Sequence, residues 1–233
     1  MRKSLTKYEH RVVEGSIKQI AEKEGKSLAN ALFDADAVDY VDTSGSMMSG
    51  IGGHWDRDGR TRHDIAEDEL GKLQAEFPGK VAVYSWSSEE PRFCPDGRPF
   101  RFNGGTNMRL ALEHMKRWDD TGVALYLTSD GYPDVPMDNY DLIMSGRGAK
   151  AAEENVLEVA RTFKSPIHTI FIGGDQDSEA RDFMRRLAEA TGGRHVTAKE
   201  VARLYDPTKM FMLQDGIKAG KKEPDNSSNT IVL

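Results

Sequence analysis

Asp42, Ser44 and Ser46 follow one another at a two-residue stride in Asp42-Thr43-Ser44-Gly45-Ser46-Met47, directly after the apolar residues Ala37-Val38 and Tyr40-Val41. An acid followed by two hydroxyls at that stride points three small oxygen ligands at one hard cation, at the carboxyl end of a buried strand. Two further pieces would complete such a cage: Thr106 in Gly104-Gly105-Thr106-Asn107, and Asp130 in Leu127-Thr128-Ser129-Asp130-Gly131. If the strands leading to Asp42 and Asp130 are neighbours, two carboxylates face one gap. At roughly 5.5 Å and an effective dielectric of about 20 they repel by about 3 kcal/mol, and a divalent cation turns that repulsion into attraction. By the same argument, removing one carboxylate should leave the metal-free fold as stable or slightly more so. The ligands offered are all oxygen, which favours Mg²⁺, with Mn²⁺ or Ca²⁺ as alternatives, over Zn²⁺. Three of the five are neutral hydroxyls, so the ion would keep much of its charge and seek an Asp or Glu from a partner protein. The plainer reading of Asp42, Ser44 and Ser46 is a turn and helix-cap cluster. Thr106 also suits a helix cap.

The elements that must position these residues alternate between strand-like and helix-like. Residues 1–34 read as helical, with Tyr8, Val12, Ile17 and Ile20 on a loosely periodic apolar stripe that Leu28, Leu32 and Phe33 continue. Ala37–Val41 is a strand, unusual in carrying Asp39. Arg62–Phe77 is an amphipathic helix stopped by Pro78-Gly79, and Val81–Trp86 is a buried strand. A turn-rich passage from Ser87 to Pro99 leads to an edge-like Phe100-Arg101-Phe102. Thr106–Trp118 reads as a helix capped by Thr106 or Asn107, Gly122–Thr128 as a strand, and Gly148–Phe163 as a helix. Ile167–Ile172 is a strand, Ser178–Ala190 a helix capped by Ser178, His195-Val196 a brief strand, and Lys199–Lys218 a last helix. This alternation predicts an α/β fold: a doubly wound, mostly parallel central sheet with helices on both faces, plus an N-terminal helical extension. In such sheets ligands gather outside the carboxyl ends of the strands, where the strand order reverses. The polar tail 220–233 reads as disordered.

The chain has 233 residues, enough for one large domain, and 30% of them are charged. A formal charge of −6 argues against a nucleic-acid surface. No apolar run reaches the length of a membrane span, the basic N-terminus lacks the apolar core of a secretory signal, and the single Cys94 has no internal disulfide partner. These features fit a cytoplasmic protein without a membrane partner. Other chemistries find little support. His54-x-Asp56-x-Asp58-Gly59 begins like a calcium loop but has Ile65 where the bidentate Glu belongs. The glycines at 45, 50, 52 and 53 lack the Lys-Ser/Thr of a phosphate cradle. Neither Gly-x-Ser-x-Gly nor His-Glu-x-x-His occurs. His63, His114, His168 and His195 are scattered, and Arg181, Arg185 and Arg186 read as a solvated helix face.

Asp42-x-Ser44-x-Ser46, the isolated Thr106 and the Thr-Ser-Asp130-Gly131 run together resemble the metal-ion-dependent adhesion site (MIDAS) of von Willebrand factor A-type (VWA) domains, over roughly residues 35–219. The resemblance implies a Rossmann-like VWA domain in which Ser44, Ser46 and Thr106 bind the metal directly, while Asp42 and Asp130 act largely through water. It further implies that movement of the last helix can be coupled to ligand capture. Intracellular relatives often serve as adaptors for AAA+ ATPases or in stress-response complexes. Asp39 departs from the usually apolar first strand. The long glycine-rich loop from Ser49 to Arg60 begins beside the metal and offers Trp55 as a partner anchor. The expectation is therefore a non-enzymatic module that captures a partner's acidic residue through Mg²⁺. A hydrolase using the same cation to activate water is the alternative; a ribonucleoprotein component is a third reading, disfavoured by the acidic charge.

Overall fold

A computed structural model describes residues 15–50, 60–76, 80–101, 104–134 and 148–197. The chain builds a six-stranded sheet in the order β3-β2-β1-β4-β5-β6. Its strands are β1 Ala37–Asp42, β2 Val81–Trp86, β3 Arg92–Phe93, β4 Ala124–Ser129, β5 Ile167–Phe171 and β6 His195–Thr197. All pairings are parallel except that of β3 with β2. The helices are α1 Ile17–Glu24, α2 Leu28–Phe33, α3 Arg62–Glu76, α4 Met108–Met115, α5 Gly148–Ala160 and α6 Ser178–Ala190. A 3₁₀ turn, Gly45–Met48, follows β1, and another, Lys116–Trp118, follows α4.

β1 and β2 are buried along their whole length, and the two-residue alternation of a strand sorts their side chains onto two faces. Val38, Tyr40, Ala82, Tyr84, Trp86, Leu125 and Leu127 join a cluster with residues of α1, α4, α5 and α6. Ala37, Val41, Val81, Val83 and Ile170 join a second cluster with Met47 and with Ala66 and Leu70 of α3.

Among the described residues, the N-terminal helical stretch holds two helices rather than one. Gly25 adopts φ +63°, a left-handed cap that ends α1 and that glycine takes without a Cβ penalty. Ser16 and Ser27 cap the two starts. Ile17, Ile20 and Ala21 are buried with the sheet, and the Lys18 amide donates to the Pro95 carbonyl. The apolar stripe continues only in part through α2: Leu32 packs partly buried against the core beside buried Ala31, while Leu28 is exposed and Phe33 is 80% exposed.

One further expectation is corrected. The strand at the β2 edge is Arg92–Phe93, whereas Phe100 and Arg101 belong to no strand, the Phe100 amide donating to the Ser85 hydroxyl (2.6 Å); Phe102 lies outside the described residues. Cys94 is buried, its Sγ 3.1 Å from Ser85 Oγ, and burial raises its thiol pKa. The expected helix at 199–218, the tail 220–233 and Trp55 lie outside the described residues. Among the described residues, no helix is long and apolar enough to cross a membrane.

Candidate metal centre

β1 and β4 are parallel neighbours with Val41 opposite Thr128, so the residues that leave their carboxyl ends emerge side by side. Asp42 is fully buried there. Its Oδ1 accepts from the Ser44 amide (2.8 Å) and its Oδ2 from the Ser129 hydroxyl (2.7 Å). The first bond closes the turn that places the two serine hydroxyls together, Ser44 Oγ to Ser46 Oγ at 3.1 Å. Ser44 is buried and Ser46 exposed, so the pair runs from the protein interior to solvent. Burial, and then the charge of Asp130, raise the Asp42 carboxyl pKa to about 7.

The Thr106 loop is tied to this turn by the Gly45 amide, which donates to the Gly104 carbonyl (2.9 Å). Asn107, not Thr106, caps α4, accepting from the Leu110 amide. Thr106 is buried, and its backbone exchanges two hydrogen bonds with Asp134: Thr106 N to Asp134 Oδ2 at 2.6 Å and Asp134 N to Thr106 O at 2.9 Å. Gly105 is needed for this arrangement, since a Cβ there would meet Asp134 Oδ2 at 1.9 Å.

Asp130 is held differently. Its Oδ2 accepts from Arg62 Nη1 at 2.6 Å, while its Oδ1 is buried with no hydrogen-bond partner among the described residues. Arg62 is the first residue of α3. Its amide donates to the Ser49 carbonyl (2.9 Å), which closes the base of the intervening loop and swings the guanidinium into the site. Nη2 of the same guanidinium donates to Asp177 Oδ2 at 2.8 Å. Asp177 stands at the cap position of α6, where Ser178 was expected, yet it makes no side-chain cap bond there. Its carboxylate serves Arg62 and the Gly174 amide instead. Gly131, at φ +95°, carries the chain past α6; a Cβ there would lie 2.7 Å from the Ala180 carbonyl.

The structure thus hydrogen-bonds Asp42 to the turn that pairs Ser44 with Ser46, sets Asp130 near enough for its charge to raise the Asp42 pKa, and ties the Thr106 loop to the same turn. Residues that sequence reasoning did not single out are Arg62, Asp177, Asp134 and the Ser129 hydroxyl. Arg62 and Asp177 are 115 positions apart and carry no spacing signal; their pairing exists only once α3 and α6 are in place. The donor chemistry fits a hard divalent cation: an all-oxygen set, a hydroxyl pair at 3.1 Å, and a buried carboxylate oxygen lacking a partner. The two aspartates do not face each other uncompensated, because a guanidinium already neutralises one of them.

Asp39, on β1, is fully buried, and burial raises its carboxyl pKa to about 7, opposed by the Thr128 hydroxyl that donates to both its oxygens (3.0 and 3.1 Å). Three of the histidines are engaged away from the site. His114 Nδ1 lies 2.6 Å from Tyr40 Oη, His168 Nδ1 accepts from the Arg194 amide, and His195 Nδ1 lies 2.9 Å from Thr169 Oγ1.

No protein-family model and no curated protein sequence matches the chain. Among solved structures it is similar to proximal thread matrix protein 1 from the mussel byssus, with TM-score 0.45 and 13% identity over 73% of this chain and 46% of that one. It is also similar to the pilus adhesin SpaC from Lactobacillus rhamnosus GG, with TM-score 0.45 and 18% identity over 79% of this chain and 31% of that one. The chain spans less than half the length of either structure.

Proposed function

We propose that this chain is a doubly wound VWA-type domain, residues 35–219, with an N-terminal helical extension, and that it is a binding module rather than an enzyme. Asp42, Ser44, Ser46, Thr106 and Asp130 would hold one divalent cation, Mg²⁺ first among Mg²⁺, Mn²⁺ and Ca²⁺. When bound, the ion would supply a positive centre for an Asp or Glu carboxylate of a partner protein. The observation that carries this reading is the meeting of β1 and β4. Their carboxyl ends bring a bonded Asp42–Ser129 pair, the Ser44–Ser46 hydroxyls and a buried Asp130 oxygen lacking a partner to one edge of the sheet.

The chain's own residues prepare the site before any ion arrives. Both Asp42 oxygens are already occupied by protein donors, which suits a carboxylate that acts through water rather than by direct ligation. Ser46 is exposed, so a partner has an approach. Arg62 supplies resident positive charge beside Asp130 and lowers the cost of keeping that carboxylate buried before metal binds. A cytoplasmic adaptor, of the kind that recruits substrates to an AAA+ ATPase or serves a stress-response complex, is the setting that suits such capture.

Affinity capture with the tagged chain, in Mg²⁺ and in EDTA, tests this. The expected result is a protein retained only in Mg²⁺ and lost with Asp42→Ala. Equal retention in both buffers would place binding on another surface and overturn the metal-capture reading.

A further inference from the structure

On the first turn of α3, next in sequence to Arg62, stands a second group of ligating side chains that the oxygen site does not use. His63, Asp64 and Glu67 each offer a ligand atom, all within 4.8 Å of one another. The spacing explains the meeting, since residues three and four apart share one helix face. Thr61 precedes the helix and fixes Asp64 in a reciprocal cap: Thr61 N and Oγ1 both donate to Asp64 Oδ2 at 2.8 Å, and the Asp64 amide donates back to Thr61 Oγ1. Asp64 Oδ1 is left off the cap, and its partner is Arg101 Nη2 at 2.6 Å.

His63 points to a ligand independently. Its side chain is 0% exposed, and neither ring nitrogen makes a hydrogen bond of ordinary geometry among the described residues; the Phe100 backbone interacts with the ring, and Nδ1 lies 3.9 Å from Glu67 Oε1. One backbone partner serves at most one of the two nitrogens, and a buried second nitrogen is costly unless its lone pair is wanted there. Burial lowers the His63 pKa to about 4, so at neutral pH the ring is uncharged and its lone pair is not blocked by a proton.

We propose that His63, Asp64 and Glu67 form a second metal site, distinct from the oxygen site, that takes a borderline divalent cation of the Zn²⁺ class. One imidazole nitrogen with two carboxylate oxygens is a ligand set for such metals, with water completing the shell, whereas the all-oxygen site prefers Mg²⁺. Ligand atoms around zinc at about 2.1 Å sit about 3.4 Å apart, so roughly an ångström of rotamer adjustment closes the set. Glu67, 34% exposed, has room to make it. Arg101 currently occupies the outer side, with Nη2 2.6 Å from Asp64 Oδ1 and 3.7 Å from Glu67 Oε2. Its side chain is 47% exposed, and a half-exposed pair of this kind is held weakly, so Arg101 withdraws into solvent as the metal enters.

The test is a Co²⁺ titration of the full chain in excess Mg²⁺, read by visible absorption and calorimetry. One Co²⁺ per chain should bind, resist Mg²⁺ and be displaced by Zn²⁺. Glu67→Gln should weaken binding roughly tenfold or more, Arg101→Gln should tighten it by removing the competing cation, and Asp130→Asn should leave it unchanged. His63→Gln should abolish it. Because that residue is buried, Glu67→Gln, with its fold checked by circular dichroism, decides the matter if the histidine variant does not fold. No Co²⁺ binding, binding indifferent to Glu67→Gln, or binding lost with Asp130→Asn would each overturn the proposal. Its failure would leave the Mg²⁺-dependent capture unaffected.

Discussion

Asp130→Asn in chelator separates two accounts of the oxygen site. Repulsion between two bare aspartates predicts a variant as stable as the parent or slightly more so. The structure predicts the opposite, because Asp130, 1% exposed, is paired at 2.6 Å with Arg62, 11% exposed. Removing one partner of a buried pair costs about 3–5 kcal/mol. Two features reduce that figure: the asparagine carbonyl still accepts a hydrogen bond, and Arg62 keeps Asp177 at 2.8 Å. Relief of the Asp42–Asp130 repulsion subtracts more, but only where Asp42 is ionised. Its carboxyl pKa is raised to about 7, by burial first and by Asp130 second, so at pH 6 Asp42 is mostly protonated and little repulsion remains to be relieved. The net loss at pH 6 is then about 3 kcal/mol, or roughly 6–12 °C in Tm for a domain of this size. At pH 8, where Asp42 would carry its charge beside Asp130, the loss should be smaller. Thermal melts of both proteins in EDTA at the two pH values measure this. A variant equal to or more stable than the parent at pH 6 would refute the Arg62 pairing and restore the bare-repulsion account.

Arg62→Met leaves buried Asp130 and half-buried Asp177 without their shared cation, so it should lower Tm in EDTA and make the Tm gain on adding Mg²⁺ larger than in the parent; equal gains in paired melts would argue against a common charge site. Asp39 has a folded pKa near 7, above its unfolded value, so its contribution to stability is lost as pH rises from about 4 through 7. Asp39→Asn should remove that loss, so its stability relative to the parent should rise by up to about 4 kcal/mol between pH 4 and pH 7 in urea melts. Gly131→Ala meets both a left-handed φ of +95° and a backbone oxygen at 2.7 Å, so calorimetry should show a loss of about 2 kcal/mol or more.

Alternation of apolar strands with amphipathic helices is a local property, and it was enough to give the α/β class and the positions of β1, β2, β4, β5 and α3 within a few residues. The same local logic put Asp42, Ser44 and Ser46 on one turn, because a two-residue stride after a strand acts over a few bonds. Leu28 and Phe33 show its limit: an apolar stripe says that a face wants cover, not that another element supplies it, and Phe33 stands 80% exposed. The edge strand was misplaced for a related reason: which short segment pairs with β2 is settled by contacts made only after the chain has turned back, and Arg92–Phe93 takes that place.

The bringing of Asp130 beside Asp42 required the strand order, in which β2 takes one side of β1 and β4 the other. The charge state of the site was decided wholly by tertiary structure. Arg62, Asp130 and Asp177 belong to the start of α3, the end of β4 and the start of α6. Nothing in their spacing pairs them; they meet because three elements end at one edge of the sheet. By itself the sequence determined which residues could ligate a cation, since ligand type and stride are written in it. Only the tertiary structure decided which of their charges are already neutralised, because electrostatic energy depends on distance and burial, and neither exists before the chain folds.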